Sequence, residues 1–225
     1  MNTSLFSWKM STKKRPIEAL GLFAGFYALH FLLIQYLSVN PIIDRISLPY
    51  ISDLVITIID ILTLLLLLYV MRKRGFDLSD KVPQKGLKTL IVVAAIAFTL
   101  ISISDFIFQY AIPSPPLGSL PFDERVATFF VEFIIAVVSG PIFEEVLFRG
   151  LLLKYVFTDR PMLGILVSSI LFTLAHPSVD WTAYWYYGIP GIILGLAYNY
   201  TKSIKVPIGV HMMLNLVSHI KLKFF

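Results

Sequence analysis

Long apolar runs set the terms for this chain. A helix that crosses a bilayer needs roughly 20 predominantly apolar residues. The 225-residue sequence offers seven such runs, at about 18–39, 50–71, 89–112, 126–148, 161–176, 183–200 and 205–220. The second ends in the unbroken stretch Leu64 to Leu68, and the third opens Thr89-Leu90-Ile91-Val92-Val93. The last is short and reads as a buried or tilted helix. Runs of this kind differ from the ten-residue alternating segments of a membrane barrel and favour helices. The expected fold class is all-α: a polytopic transmembrane helical bundle of about seven spans, with six to eight compatible with the pattern. A single membrane-embedded domain, 1–225, is expected.

Composition narrows the alternatives. Hydrophobic residues make up 57% and charged residues 15%, against roughly 45–50% and about 25% in soluble domains. A disordered chain, a nucleic-acid-binding tail and an ordinary soluble domain are excluded. With 0 Cys there is no disulfide framework, no thiolate zinc site and no cysteine nucleophile. No repeat or low-complexity tract is present. Pro113-Ser114-Pro115-Pro116 and the region of Pro121 read as a loop. The first run is longer than a signal-peptide core and lacks a small-x-small cleavage site, so it is expected to remain as an anchor.

The formal charge is +5, which in a membrane protein follows from Lys and Arg retained on the cytoplasmic side. Seven spans with a cytoplasmic N-terminus put fifteen of the nineteen Lys and Arg inside, Arg149 among them. Arg45, Arg125, Lys221 and Lys223 fall outside. The basic run Arg72-Lys73-Arg74 reads first as a topology signal and second as an anionic-lipid contact.

Charged groups at membrane depth are costly and usually face a bundle interior or a water-filled cavity. Here they cluster. Glu144, Glu145 and Arg149 end the fourth run, His176 ends the fifth, and His211 and Asn215 lie in the last. Glu145 and Arg149 are four apart and share a helix face; Glu144 points about 100° away. One carboxylate is thus expected to be neutralised by Arg149 and the other left for chemistry. A juxtamembrane salt-bridge cluster accounts for the same spacing. Pro141 either kinks the helix or starts a new one, and a new start would put Glu144 near a helix N-terminus. Phe172 and His176 share a face ahead of Pro177, where a structural histidine is the alternative. His211 and Asn215 share another, where an interhelical hydrogen bond is the alternative.

Three ordered motifs, Glu144-Glu145-x-x-x-Arg149, Phe172-x-x-x-His176 and His211-x-x-x-Asn215, each fall on a hydrophobic helix. In this the chain resembles the CPBP family of intramembrane proteases, which includes type II CAAX prenyl endopeptidases and bacterial Abi-type proteins. The resemblance covers about 126–220. It implies an α-helical membrane endopeptidase with its site inside the bundle, reachable from the cytoplasmic side. It further implies that Glu144 activates water, with His176 as partner. His211 and Asn215 then polarise the scissile carbonyl and hold the oxyanion, and Glu145 and Arg149 support them. Amide hydrolysis needs such a base and such donors. No cofactor is required by this scheme. Zinc held by Glu144, His176 and His211 is the metal-dependent alternative, with Asn215 outside the ligand set.

The expected partners are the lipid bilayer and a membrane-associated protein or peptide substrate, with no nucleic acid. The expected location is a bacterial cytoplasmic membrane, where prenylated CAAX proteins are not the anticipated target. A non-catalytic immunity or scaffold protein of the same fold is one rival function. An ion-coupled transporter relaying protons through Asp60, Asp105, Glu132 and Glu144 is another, although no pseudo-repeat supports it. Asp53, Asp60, Asp105, Glu132 and His30 also lie in or near apolar runs outside the motifs. Glu132 is the one most readily placed in a cavity. Gly21-x-x-x-Gly25 and Gly191-x-x-x-Gly195 are expected to let helices approach closely within the bundle. Trp181, Tyr184, Trp185, Tyr186 and Tyr187 read as an interfacial aromatic belt.

Overall fold

A computed structural model describes residues 15–38, 49–78, 85–111, 129–130, 132–176, 182 and 184–224. The Pro113–Pro116 and Pro121 loop, Arg45, Arg125, Pro177, Trp181 and the side chain of Asp53 lie outside the described residues. Among the described residues there is no strand. The helices are α1 (Arg15–Ser38), α2 (Pro49–Lys73) and α3 (Leu87–Ala111). A composite α4 follows, then α5 (Pro161–Leu174), α6 (Ile189–Thr201, preceded by a wide turn over Tyr184–Gly188) and α7 (Lys205–Phe224). Two of them are long and apolar enough to cross a membrane, over Leu54–Lys73 and Leu87–Tyr110. The molecule carries its apolar side chains outward as well as inward: Leu62, Leu65, Phe106 and Leu222 are all exposed. An apolar exterior is what a helical bundle shows to lipid.

α4 is the axis of the bundle. It joins π-helical Ile134–Ser139, α-helical Gly140–Glu145 and π-helical Val146–Val156 without a break. Every residue from 145 to 153 is buried, on all sides of the helix. A helix apolar all round belongs at the centre of a bundle, and α4 touches α1, α2, α5, α6 and α7. α3 packs on α6 and α7 at the far side. The fourth run was expected to end near 148; the wide turns carry the helix to Val156 instead. There Lys154, expected in the following loop, donates to the Asp77 carbonyl at 2.7 Å.

Pro141 neither starts a helix nor breaks one. The turn before it is widened so that Gly140 N–H reaches back five residues to the Ile135 carbonyl. A Cβ on Gly140 would sit 2.6 Å from that oxygen, so glycine is required there. The widening strands one acceptor. Ala136 O has lost the Gly140 N–H, and the residue five along is Pro141, which has no N–H. A side chain of α7 satisfies this carbonyl, as described below.

Glycines set the other close approaches unevenly. A Cβ on Gly191 or Gly195 would meet Ser169 at 3.1 Å or Ile165 at 3.2 Å, so this pair does bring α5 and α6 together. Gly21 and Gly25 have nothing within 4 Å, so the packing expected of them is not found among the described residues. Gly164 is the tightest site of all, with a hypothetical Cβ 2.5 Å from Phe157 Cβ.

Candidate active site

The two adjacent glutamates of α4 separate as the helical period requires. Glu145 is fully buried and its Oε1 accepts from Arg149 Nη1 at 2.9 Å, with both side chains 0% exposed. The same oxygen accepts from His211 Nδ1 at 3.0 Å, tying α7 to α4. Arg149 also donates through Nη2 to the Gly191 carbonyl at 2.8 Å, tying α6 to α4. Arg149 is therefore an interior residue and not one of the topology charges it was counted with. Glu144 points elsewhere. Its side chain is 18% exposed, faces a cavity, and has Oε2 3.7 Å from His211 Nε2. Because α4 runs through Pro141, Glu144 lies in mid-helix and takes no help from a helix N-terminus.

Phe172 and His176 show what a four-residue spacing does at a helix end. α5 stops at Leu174, and the His176 N–H turns back to Thr173 O at 3.1 Å. That frees the Phe172 carbonyl, one of the unpaired acceptors every helix C-terminus leaves. The His176 ring fills the vacancy, donating from Nδ1 to Phe172 O at 2.8 Å. With Nδ1 so occupied, Nε2 is the nitrogen left with a lone pair. The Phe172 ring is buried, edge-on to Phe148 at 5.3 Å, and it lies 5.0 Å from His176 and 5.8 Å from His211. The Arg149 guanidinium sits 5.5 Å from its centroid.

Asn215, one turn beyond His211 on α7, donates Nδ2 to Ala136 O at 2.7 Å. This is the carbonyl stranded by the wide turn at Pro141. One amide hydrogen is spent on it; the other is left to the cavity, which Asn215 also lines. The cavity holds about 580 Å³ and brings Glu144, Phe172, His176, His211 and Asn215 onto one wall. Sequence reasoning grouped these residues, and Glu145 and Arg149 lie directly behind them.

Tyr187 was missed. Its ring stacks on His176 at 3.6 Å between centroids, nearly parallel at 16°. The belt reading obscured it. Of that belt only Tyr184 is exposed among the described members; Trp185 donates to the Ser104 carbonyl and Tyr186 accepts from Gln109. The signal that could have found Tyr187 is its distance of three residues from Pro190, which puts it in the turn just before α6 begins. Glu132 does not line the cavity; it pairs with Lys223 at 2.7 Å. Asp60 is buried at 1% exposure on α2, with Oδ1 3.7 Å from His30 Nδ1, behind Phe143 rather than in the cavity. Among the described residues no group of three or more His, Cys, Asp or Glu lies close enough to hold a metal ion, so Glu144, His176 and His211 are not drawn together as a zinc set in this structure.

Comparison with known proteins bears on the same stretch. Residues 126–217 match the family described as type II CAAX prenyl endopeptidase Rce1-like. The chain is 29% identical over 179 residues to the membrane-embedded CAAX protease MroQ of Staphylococcus aureus (strain USA300), covering 72% of this chain and 70% of that one. It is 34% identical over 101 residues to the UPF0177 protein YbdI of Lactococcus lactis subsp. lactis (strain IL1403), 44% of this chain and 54% of that one. No solved structure matches. The motif residues and the helices that carry them fall within residues 126–217, the stretch of this chain that is similar to the type II CAAX prenyl endopeptidase Rce1-like family.

Proposed function

We propose that the chain is an intramembrane endopeptidase hydrolysing a peptide bond of a membrane-associated protein or peptide. The observation that carries this reading is the division of labour between neighbouring carboxylates. Glu145 Oε1 is held by Arg149 and His211, while Glu144 faces the cavity. The bundle is read as seven spans in one domain, with the N-terminus cytoplasmic in a bacterial membrane.

In the proposed reaction Glu144 takes a proton from water as that water attacks the scissile carbonyl carbon. The lone pair on His176 Nε2 orients the same water. The carbonyl oxygen becomes an oxyanion and receives hydrogen bonds from His211 Nε2 and from the free amide hydrogen of Asn215. For this His211 carries hydrogens on both ring nitrogens, and Glu144 and Glu145 supply the counter-charge. Glu144 then passes its proton to the departing amine, which restores the site. The 3.7 Å between Glu144 Oε2 and His211 Nε2 is too long for a direct hydrogen bond, so each remains available to the reacting atoms in the cavity.

The test is cleavage by purified protein, with membranes from cells lacking it as the substrate pool. Glu144→Gln and His176→Ala should each lower the rate of product formation by roughly 10²–10⁴-fold, the usual weight of a positioned acid or base. Both proteins should still insert and purify. Full activity in both variants would overturn the assignment. A chelator should leave the wild-type rate unchanged; loss of activity restored by zinc would favour the metal-dependent alternative.

A further inference from the structure

The cavity lies in one half of the bundle, and the charges say which half. On α3 its lining runs from Phe98 to Gln109, toward that helix's C-terminal end. From Tyr186 in the wide turn before α6 it runs only to Leu194, in the N-terminal half of that helix. On α7 it runs from His211 to Leu222, toward the C-terminus. α5 contributes its last residues, and α4 contributes Glu144 alone. These helices alternate in direction, so all of these segments point to the same end of the bundle.

The opposite end is closed. Beyond Glu144, α4 is buried at every position from Glu145 to Leu153. Beneath the cavity Ala97, Ile101, Leu194, Ala197, Val206 and Val210 form a buried apolar cluster between α3, α6 and α7. The closed end is also the basic one. Ten of the thirteen described Lys and Arg lie at it, Arg149 is interior, and only Lys221 and Lys223 lie at the open end. Lys and Arg are retained on the cytoplasmic side of a membrane protein.

We propose that the site is entered from the extracytoplasmic half of the membrane, between α3, α6 and α7. The substrates would then be peptide segments exposed on, or inserted from, the outer face, and not segments arriving from the cytoplasmic side, which the family resemblance implies. This rests on the peptidase reading and deepens it by naming the side from which substrate arrives. The mouth offers a substrate both charges, Asp105 on α3 and Lys221 on α7, together with the apolar faces of Phe106 and Leu222. Asp105 Oδ1 is buried without a hydrogen-bond partner among the described residues. That combination suits an apolar segment flanked by a basic group.

The chain has 0 Cys, so single cysteines report sidedness directly. Gln109→Cys and Ser218→Cys place thiols at the mouth on two different helices, and Lys88→Cys places one at the closed end. In intact cells stripped of outer layers, a charged, membrane-impermeant maleimide should label the two mouth cysteines. Lys88→Cys should react only after the membrane is opened. Labelling of both mouth positions only after opening, or of neither in any state, overturns the proposal. Labelling does not depend on turnover. Labelling in the otherwise wild-type background, read beside cleavage, therefore separates the two ideas: an outward mouth on a wild-type protein that cleaves nothing sinks the peptidase reading alone, and an inward mouth on an active one sinks the sidedness alone. In the active protein, maleimide added outside to Ser218→Cys should also block cleavage, at least tenfold.

Discussion

At the scale of single residues, the site is held by partners that the reacting groups do not share. Glu145 shows this most directly. Truncating Arg149 to Ala would leave a carboxylate buried at 0% exposure with only His211 still against it. Breaking a buried pair in this way typically costs 3–5 kcal/mol. Arg149→Ala should therefore lower thermal stability in detergent far more than Glu144→Gln, whose side chain is partly open to the cavity. Tyr187 offers a finer test. A stacked ring contributes about 0.5–1.5 kcal/mol beyond burial, which is up to about a tenfold effect on a rate through the orientation of His176. Tyr187→Phe should keep wild-type turnover, and Tyr187→Ala should lose about threefold to tenfold with little change in melting temperature. The pairing of Glu145 with Arg149 was legible in the sequence because i,i+4 spacing is a fixed property of a helix. The Tyr187 stack was not legible, because it depends on the angle at which α6 arrives over the end of α5.

At the scale of elements, α4 shows how a proline can sit inside the central helix of a bundle without ending it. The turn widens, Gly140 allows the Ile135 carbonyl to come close, and Asn215 from α7 satisfies Ala136 O. Asn215→Leu should leave that buried carbonyl unpaired, a loss of about 1–3 kcal/mol. It should thus reduce stability as well as activity, unlike a residue whose only task is to bind the oxyanion. Gly140→Ala should do the same by a different route, since its new Cβ would press on backbone that has no soft side chain to yield. Thermal melting of both variants in detergent, beside their cleavage rates, checks this. The sequence reading found the seven helical segments by apolar length, a signal that survives any packing. It misplaced the end of α4 by about eight residues, because Arg149 and Lys154 looked like the charges of a loop. One is in fact buried against Glu145, and the other reaches sideways to Asp77.

At the scale of the whole molecule, the motif helices surround a core that no single helix could stabilise alone. Arg149 makes the point in the language of biogenesis. A translocon assigns each segment to lipid as it emerges, and an arginine, aspartate or lysine near the centre of an isolated span costs about 2.5–3.5 kcal/mol. α4 brings Glu144, Glu145 and Arg149 together, and one acceptor for Arg149 is the carbonyl of Gly191, 42 residues further along the chain. His211, the second partner of Glu145, is made later still. α4 thus cannot be settled in lipid when it first appears and must wait beside α1, its most extensive earlier neighbour. Chains released after residue 160 should stay anchored through α2 and α3 but leave α4 open to added protease, whereas chains reaching residue 224 should resist proteolysis. Pulse-labelling of such truncations would show the transition falling between α5 and α7. The residues that ready the site for water are, on this account, also those that make the protein's insertion a collective event.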